Sequence, residues 1–81
     1  MTGARVLVVD DEPQILRALE TTLRGAGYEI ATAATGEDAL LQAGIRPPDG
    51  VILDLVLPGK SGVEVCRELR RSSDVILSRK F

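Results

Sequence analysis

The chain has 81 residues, 44% hydrophobic and 27% charged, with a formal net charge of −2. That is an ordinary globular balance for one domain or less, and it carries no basic stripe of the kind that marks a nucleic-acid footprint. There is no histidine and a single cysteine, Cys66, which excludes an internal disulfide, phosphohistidine chemistry and most zinc sites, and fits a reducing cytoplasm.

Arg5-Val6-Leu7-Val8-Val9 is a short apolar run bounded by acids, as expected of a strand buried on both faces. Asp10-Asp11-Glu12-Pro13 follows, with Pro suited to a first helical turn and Asp to the cap before it. Ile15, Leu16, Leu19 and Leu23 then recur at helical spacing until Gly25-Ala26-Gly27 stops the helix. Tyr28 to Ala33 reads as a second, more polar strand at a sheet edge. Thr35-Gly36-Glu37-Asp38 opens a second helix with Ala39, Leu40 and Ala43 as its apolar stripe, ended by Gly44 and Pro47-Pro48.

Gly50-Val51-Ile52-Leu53-Asp54 is a third strand, apolar up to a terminal acid. A loop through Pro58 and Lys60 leads to Ser61-Gly62-Val63-Glu64, a capping box. The helix after it carries Val63, Cys66 and Leu69 as its apolar positions and runs toward Arg70-Arg71. Val75-Ile76-Leu77-Ser78 makes a fourth strand before Arg79-Lys80-Phe81. No apolar run approaches the roughly 20 residues of a membrane span, and no signal peptide is expected.

Strict alternation of strand and helix predicts a parallel α/β sheet with right-handed crossovers. Sites in such sheets form beyond the carboxyl ends of strands, where strand order reverses. In the order 2-1-3-4, strands one and three flank that point, so Asp10, Asp11 and Asp54 converge in one cleft. Crowded carboxylates repel, and the simplest cation to relieve them is Mg²⁺, which prefers oxygen ligands and phosphate. With such a cation, Asp54 can act as a nucleophile toward a phosphoryl group and form an acyl phosphate.

Val8-Val9-Asp10-Asp11-Glu12-Pro13, then Asp54-Leu55-Val56-Leu57-Pro58, then Gly62, together resemble the receiver domain of bacterial two-component response regulators. The specific feature is the combination: an acid pair at the first strand end, one Asp at the third, Pro four residues later and Gly eight later. The resemblance implies a flavodoxin-like (CheY-like) fold. It also implies a phosphoacceptor at Asp54 and Mg²⁺ held by Asp10, Asp11, Asp54 and the backbone carbonyl of Val56. Its implied partner is a sensor histidine kinase, and the stretch from Leu57 to Gly62 looks like regulators that carry a DNA-binding output domain. No direct nucleic-acid contact by this chain is expected.

Family members carry a Ser or Thr at the end of strand four that follows the phosphoryl group. Ser78 stands in a similar phrase as the candidate switch residue, although the stretch from Asp54 to it is a few residues short. A lysine pairing with the phosphate has no counterpart, since Lys80 comes too early and Lys60 lies in the wrong loop. The whole of residues 1–81 is therefore expected to be a single receiver domain lacking the fifth strand and last helices.

Other readings exist for the same residues. Asp11 alone could cap the first helix, Asp54 could be a turn residue, and Glu12 suits a first-turn dipole partner better than a ligand. A magnesium-dependent phosphohydrolase needs a second acid two residues after its nucleophile, and that position is Val56. No glycine-rich phosphate loop follows the first strand. The chain is thus expected to accept a phosphoryl group, with at most self-dephosphorylation, rather than to be an enzyme. A competing expectation is an assembly module that forms homo-oligomers through an exposed sheet edge.

Overall fold

The computed structural model describes residues 3–57 and 62–78, the last by its backbone alone. Four strands and three helices alternate: β1 (Arg5–Val9), α1 (Pro13–Gly25), β2 (Glu29–Ala33), α2 (Gly36–Ile45), β3 (Gly50–Asp54), α3 (Gly62–Leu69) and β4 (Asp74–Ser78). The sheet is parallel in the order β2-β1-β3-β4. This is the expected flavodoxin-like (CheY-like) arrangement, with β2 at one edge.

The apolar runs explain the layering. Leu7, Val9, Val51 and Leu53 point to one face of the sheet and join Ala39 of α2 with Val65, Cys66 and Leu69 of α3 in a single core. Alternate residues point to the other face, toward α1, where the helix is covered less. None of its residues is buried, and Ile15, Leu16, Leu19 and Leu23 are half-exposed. Its hydrophobic stripe is real, but the layer that would bury it fully is not supplied by the described residues.

The ends of the helices follow local chemistry. At the end of α1 Gly27 takes a φ of +99°, the left-handed conformation that glycine adopts without a Cβ penalty. The Tyr28 N–H then donates to the Leu23 carbonyl and the Gly27 N–H to the Arg24 carbonyl, the paired bonds of a Schellman stop. Thr35 caps α2, its hydroxyl accepting from the Asp38 N–H at 3.1 Å. At the start of α1 the cap position belongs to Glu12, not to an Asp. The capping reading of Asp11 therefore loses its position.

The phase of α3 corrects one sequence expectation. Val63 is 61% exposed, while Val65 is fully buried. Gly62, Val65, Cys66 and Leu69 form the inward stripe, which is the i, i+3, i+4, i+7 pattern that a helix presents to a core. The capping role of Ser61, with Pro58, Lys60 and Lys80, lies outside the described residues. Among the described residues no helix is long and apolar enough to cross a membrane.

Candidate phosphoacceptor site

β1 and β3 lie side by side, with Val9 paired to Leu53. The next residues along the chain are Asp10 and Asp54, so two acids stand at adjoining strand ends at the carboxyl end of the sheet. Both are buried, each about 1% exposed, and they are the buried acids among the described residues. Burying a charged group is costly unless it is hydrogen-bonded, paired or neutralised, so two buried acids at adjoining strand ends make this the candidate site.

The two acids make matching local turns. Asp10 Oδ1 accepts the Glu12 N–H at 2.9 Å. Asp54 Oδ1 accepts the Val56 N–H, also at 2.9 Å. In each case an Asp side chain bonds the backbone two residues on, bending the chain away from its strand. One carboxylate oxygen per residue thus fixes the loop that follows it. The backbone of Asp10 is held too, its N–H donating to the Ala33 carbonyl at 3.1 Å.

Asp10, Asp11 and Glu12 each offer a carboxylate oxygen within 4.8 Å of the others. Asp11 is exposed and Glu12 half-buried, so the cluster grades from the interior to the surface. Glu12 is the residue that sequence reasoning set aside; its contiguity with the acid pair was the available signal. Val56, two residues after Asp54, is 62% exposed, and it meets the site through its backbone N–H. The side chain of Ser78 lies outside the described residues, but its backbone is in register with Asp54 across β3 and β4. The short spacing between the two therefore does not prevent Ser78 from ending its strand beside the acid.

Gly62 has a clear steric reason. A Cβ placed there would lie 2.8 Å from the Leu55 carbonyl oxygen and 3.3 Å from the Leu55 carbonyl carbon and Cα. A methyl group would have to displace backbone immediately after Asp54. The glycine is therefore what lets α3 close against the loop that leaves the site.

Comparison with known proteins agrees with this geometry. Residues 6–78 match the family model of the response regulator receiver domain. The transcriptional regulatory protein KdpE of Mycobacterium tuberculosis H37Rv is 58% identical over 65 residues, covering 80% of this chain and 29% of that protein. The alkaline phosphatase synthesis regulator PhoP of Bacillus subtilis is 45% identical over 67 residues, 83% of this chain and 28% of that protein. The chain thus spans under a third of the length of these relatives.

Among solved structures, the response regulator TrrA of Thermotoga maritima in complex with Mg²⁺ and BeF superposes with a TM-score of 0.84 at 46% identity, over 95% of this chain and 68% of that one. A structure of the histidine kinase ThkA in complex with TrrA gives the same score and identity, over 95% of this chain and 67% of the matched one. A CheY-like receiver domain from Methylobacillus flagellatus reaches a TM-score of 0.87 at 26% identity, over 94% of this chain and 69% of that one. With the sheet order, the paired strand-end acids and the matched sequence in agreement, this chain belongs to the response regulator receiver domain family of two-component systems.

Proposed function

We propose that the chain accepts a phosphoryl group on Asp54 from a sensor histidine kinase, in a Mg²⁺-dependent reaction. The observation that carries this reading is the pair of buried carboxylates, Asp10 and Asp54, at adjoining strand ends. A carboxylate oxygen of Asp54 forms the new bond to phosphorus as the bond from phosphorus to the donor breaks. The donor's leaving group departs with that electron pair. The product is an acyl phosphate, and its later hydrolysis resets the chain. No acid stands two residues after Asp54 to drive repeated turnover of phosphate esters, so the chain is a phosphoacceptor and not an enzyme acting on external substrates.

The metal would be held by Asp10, Asp11, Asp54 and the Val56 carbonyl. The donor set fits a hard, oxygen-seeking cation, and the close grouping of Asp10, Asp11 and Glu12 supports it. Glu12 would add charge at the rim. When bound, Mg²⁺ supplies positive charge against the oxygens of the transferring phosphoryl group. Asp54 provides the nucleophilic oxygen, and the Val56 N–H holds its carboxylate in place. Ser78 would follow the phosphoryl group as the switch residue.

The kinase is inferred from family membership and from the solved ThkA–TrrA complex. Control of transcription through an output domain outside this chain is inferred from relatives such as KdpE and PhoP. A cytoplasmic setting and an absence of direct nucleic-acid binding by this chain complete the reading. The test is intact mass after incubation with acetyl phosphate and Mg²⁺. One phosphoryl adduct is expected, absent in EDTA and absent in Asp54→Asn. An adduct that survives Asp54→Asn would overturn the assignment.

A second reading, self-association through a sheet edge, is favoured by β4. This strand pairs only with β3 among the described residues, and its Ile76 and Leu77 are 67% and 40% exposed.

A further inference from the structure

β2 and its two flanking helices carry a repeated arrangement that the phosphoacceptor site does not use. The odd-numbered residues of β2 turn their backbone groups toward β1: the Glu29 N–H donates to the Ala4 carbonyl, and the Ala33 carbonyl accepts the Asp10 N–H. Alternation along the strand then aims the N–H and C=O of Ile30 and Thr32 away from β1. Among the described residues no strand pairs with β2 on that side.

Both outward carbonyls are nevertheless occupied. The Arg24 guanidinium of α1 donates to the Ile30 carbonyl at 3.3 Å. The Gln42 side-chain amide of α2 donates to the Thr32 carbonyl at 2.8 Å. The two helices lie on opposite faces of the sheet, so the edge is gripped from both. Each donor is steadied in the same way, by an acid one turn earlier on its own helix. Glu20 Oε2 accepts from Arg24 Nε at 3.0 Å and pairs with its second guanidinium nitrogen at 2.9 Å. Asp38 Oδ2 accepts from Gln42 Nε2 at 3.0 Å, so the Gln42 amide has one N–H for each acceptor.

An open strand edge is a template for another strand, and proteins withhold it by covering it or placing charge on it. We propose that Arg24 and Gln42 are latches that withhold the β2 edge from a second copy of this chain, with Glu20 and Asp38 holding the latches in position. The closure is built within one β-α-β-α stretch and does not depend on any element before or after it. It concerns the edge opposite β4, and it needs neither a bound metal nor a phosphoryl group.

A second copy is the occupant because β2 fits itself. The strand reads Glu29-Ile30-Ala31-Thr32-Ala33. Set antiparallel about a two-fold axis at Ala31, Ile30 of one copy stands opposite Thr32 of the other. The backbone groups that would exchange hydrogen bonds there are those of the two residues whose carbonyls the latches cap. The two Glu29 side chains would lie at opposite ends of the contact, so no like charges face each other.

The test compares the wild-type 81-residue chain with Arg24→Ala/Gln42→Ala by sedimentation equilibrium and light scattering. Side chains that merely tether helix to strand would, on removal, lower stability and leave association unchanged. Latches, once removed, should let the chain self-associate roughly tenfold more tightly than wild type, since pairing no longer gives up two hydrogen bonds in each copy. Adding Thr32→Pro should return association to the wild-type level, because proline lacks the outward N–H and leaves the ladder to β1 intact. If circular dichroism shows the double variant unfolded, Gln42→Ala with and without Thr32→Pro makes the same comparison, with a smaller rise expected. A folded variant that associates no more than wild type would overturn the proposal. So would added association that Thr32→Pro does not reverse, because another surface would then carry it.

Discussion

β3 and β4 are almost the same strand in two different places. One reads Val51-Ile52-Leu53-Asp54 and the other Val75-Ile76-Leu77-Ser78, and they are hydrogen-bonded to each other in register. Yet Leu53 is fully buried while Leu77 is 40% exposed, and Ile76 is 67% exposed. Local sequence sets strand formation in both. Neighbours set burial: β3 lies between β1 and β4, whereas β4 has a partner on one side among the described residues. The difference at the carboxyl end, Asp54 against Ser78, then decides which strand ends in a buried carboxylate.

Truncation at equivalent positions should separate the two strands most strongly. Leu53→Ala should destabilise the chain by about 2–5 kcal/mol, because the cavity forms in a closed core. Leu77→Ala should cost under about 1 kcal/mol, since water already reaches that side chain. Urea midpoints measured at one protein concentration would check this; equal losses would mean that β4 is covered in solution.

Gly62→Ala comes next. The 2.8 Å approach to the Leu55 carbonyl oxygen leaves no room for a methyl group, and overpacking of this kind costs about 1–3 kcal/mol. The loop after Asp54 should shift with it, so phosphoryl acceptance should fall more than stability does. An alanine variant with normal stability and normal acceptance would remove the steric argument. The smallest effect should come from Thr35→Ala, which deletes the hydroxyl that accepts from Asp38. A loss of about 1 kcal/mol is typical of such caps, and it should leave phosphoryl acceptance unchanged.

Much of this was legible before the structure. The strands were visible because each is a dense apolar run with a defined end, and their parallel order follows from the alternation with helices. The convergence of Asp10 and Asp54 followed from that order alone. Other features depend on phase and proximity, which a linear pattern states weakly. Val63 and Val65 both suit a helix stripe, and only packing against α2 and β3 selects Val65. Glu12 looked like a helix-start residue because its backbone is one, being the N-cap of α1; its carboxylate nevertheless joins the acid group. Ser78 looked too close in sequence to Asp54, because spacing counts residues while register counts strand ends.

The central claim is that acids from two strand ends form one site. Its most direct test is a Mg²⁺ titration of the wild-type chain beside Asp10→Asn, Asp11→Asn and Asp54→Asn, read by calorimetry on samples that circular dichroism shows folded. Each substitution is predicted to weaken Mg²⁺ binding by roughly tenfold or more, with Asp54→Asn losing affinity although it lies far from the other two in sequence. Mg²⁺ affinity that depends on Asp10 and Asp11 but not on Asp54 would contradict a shared site.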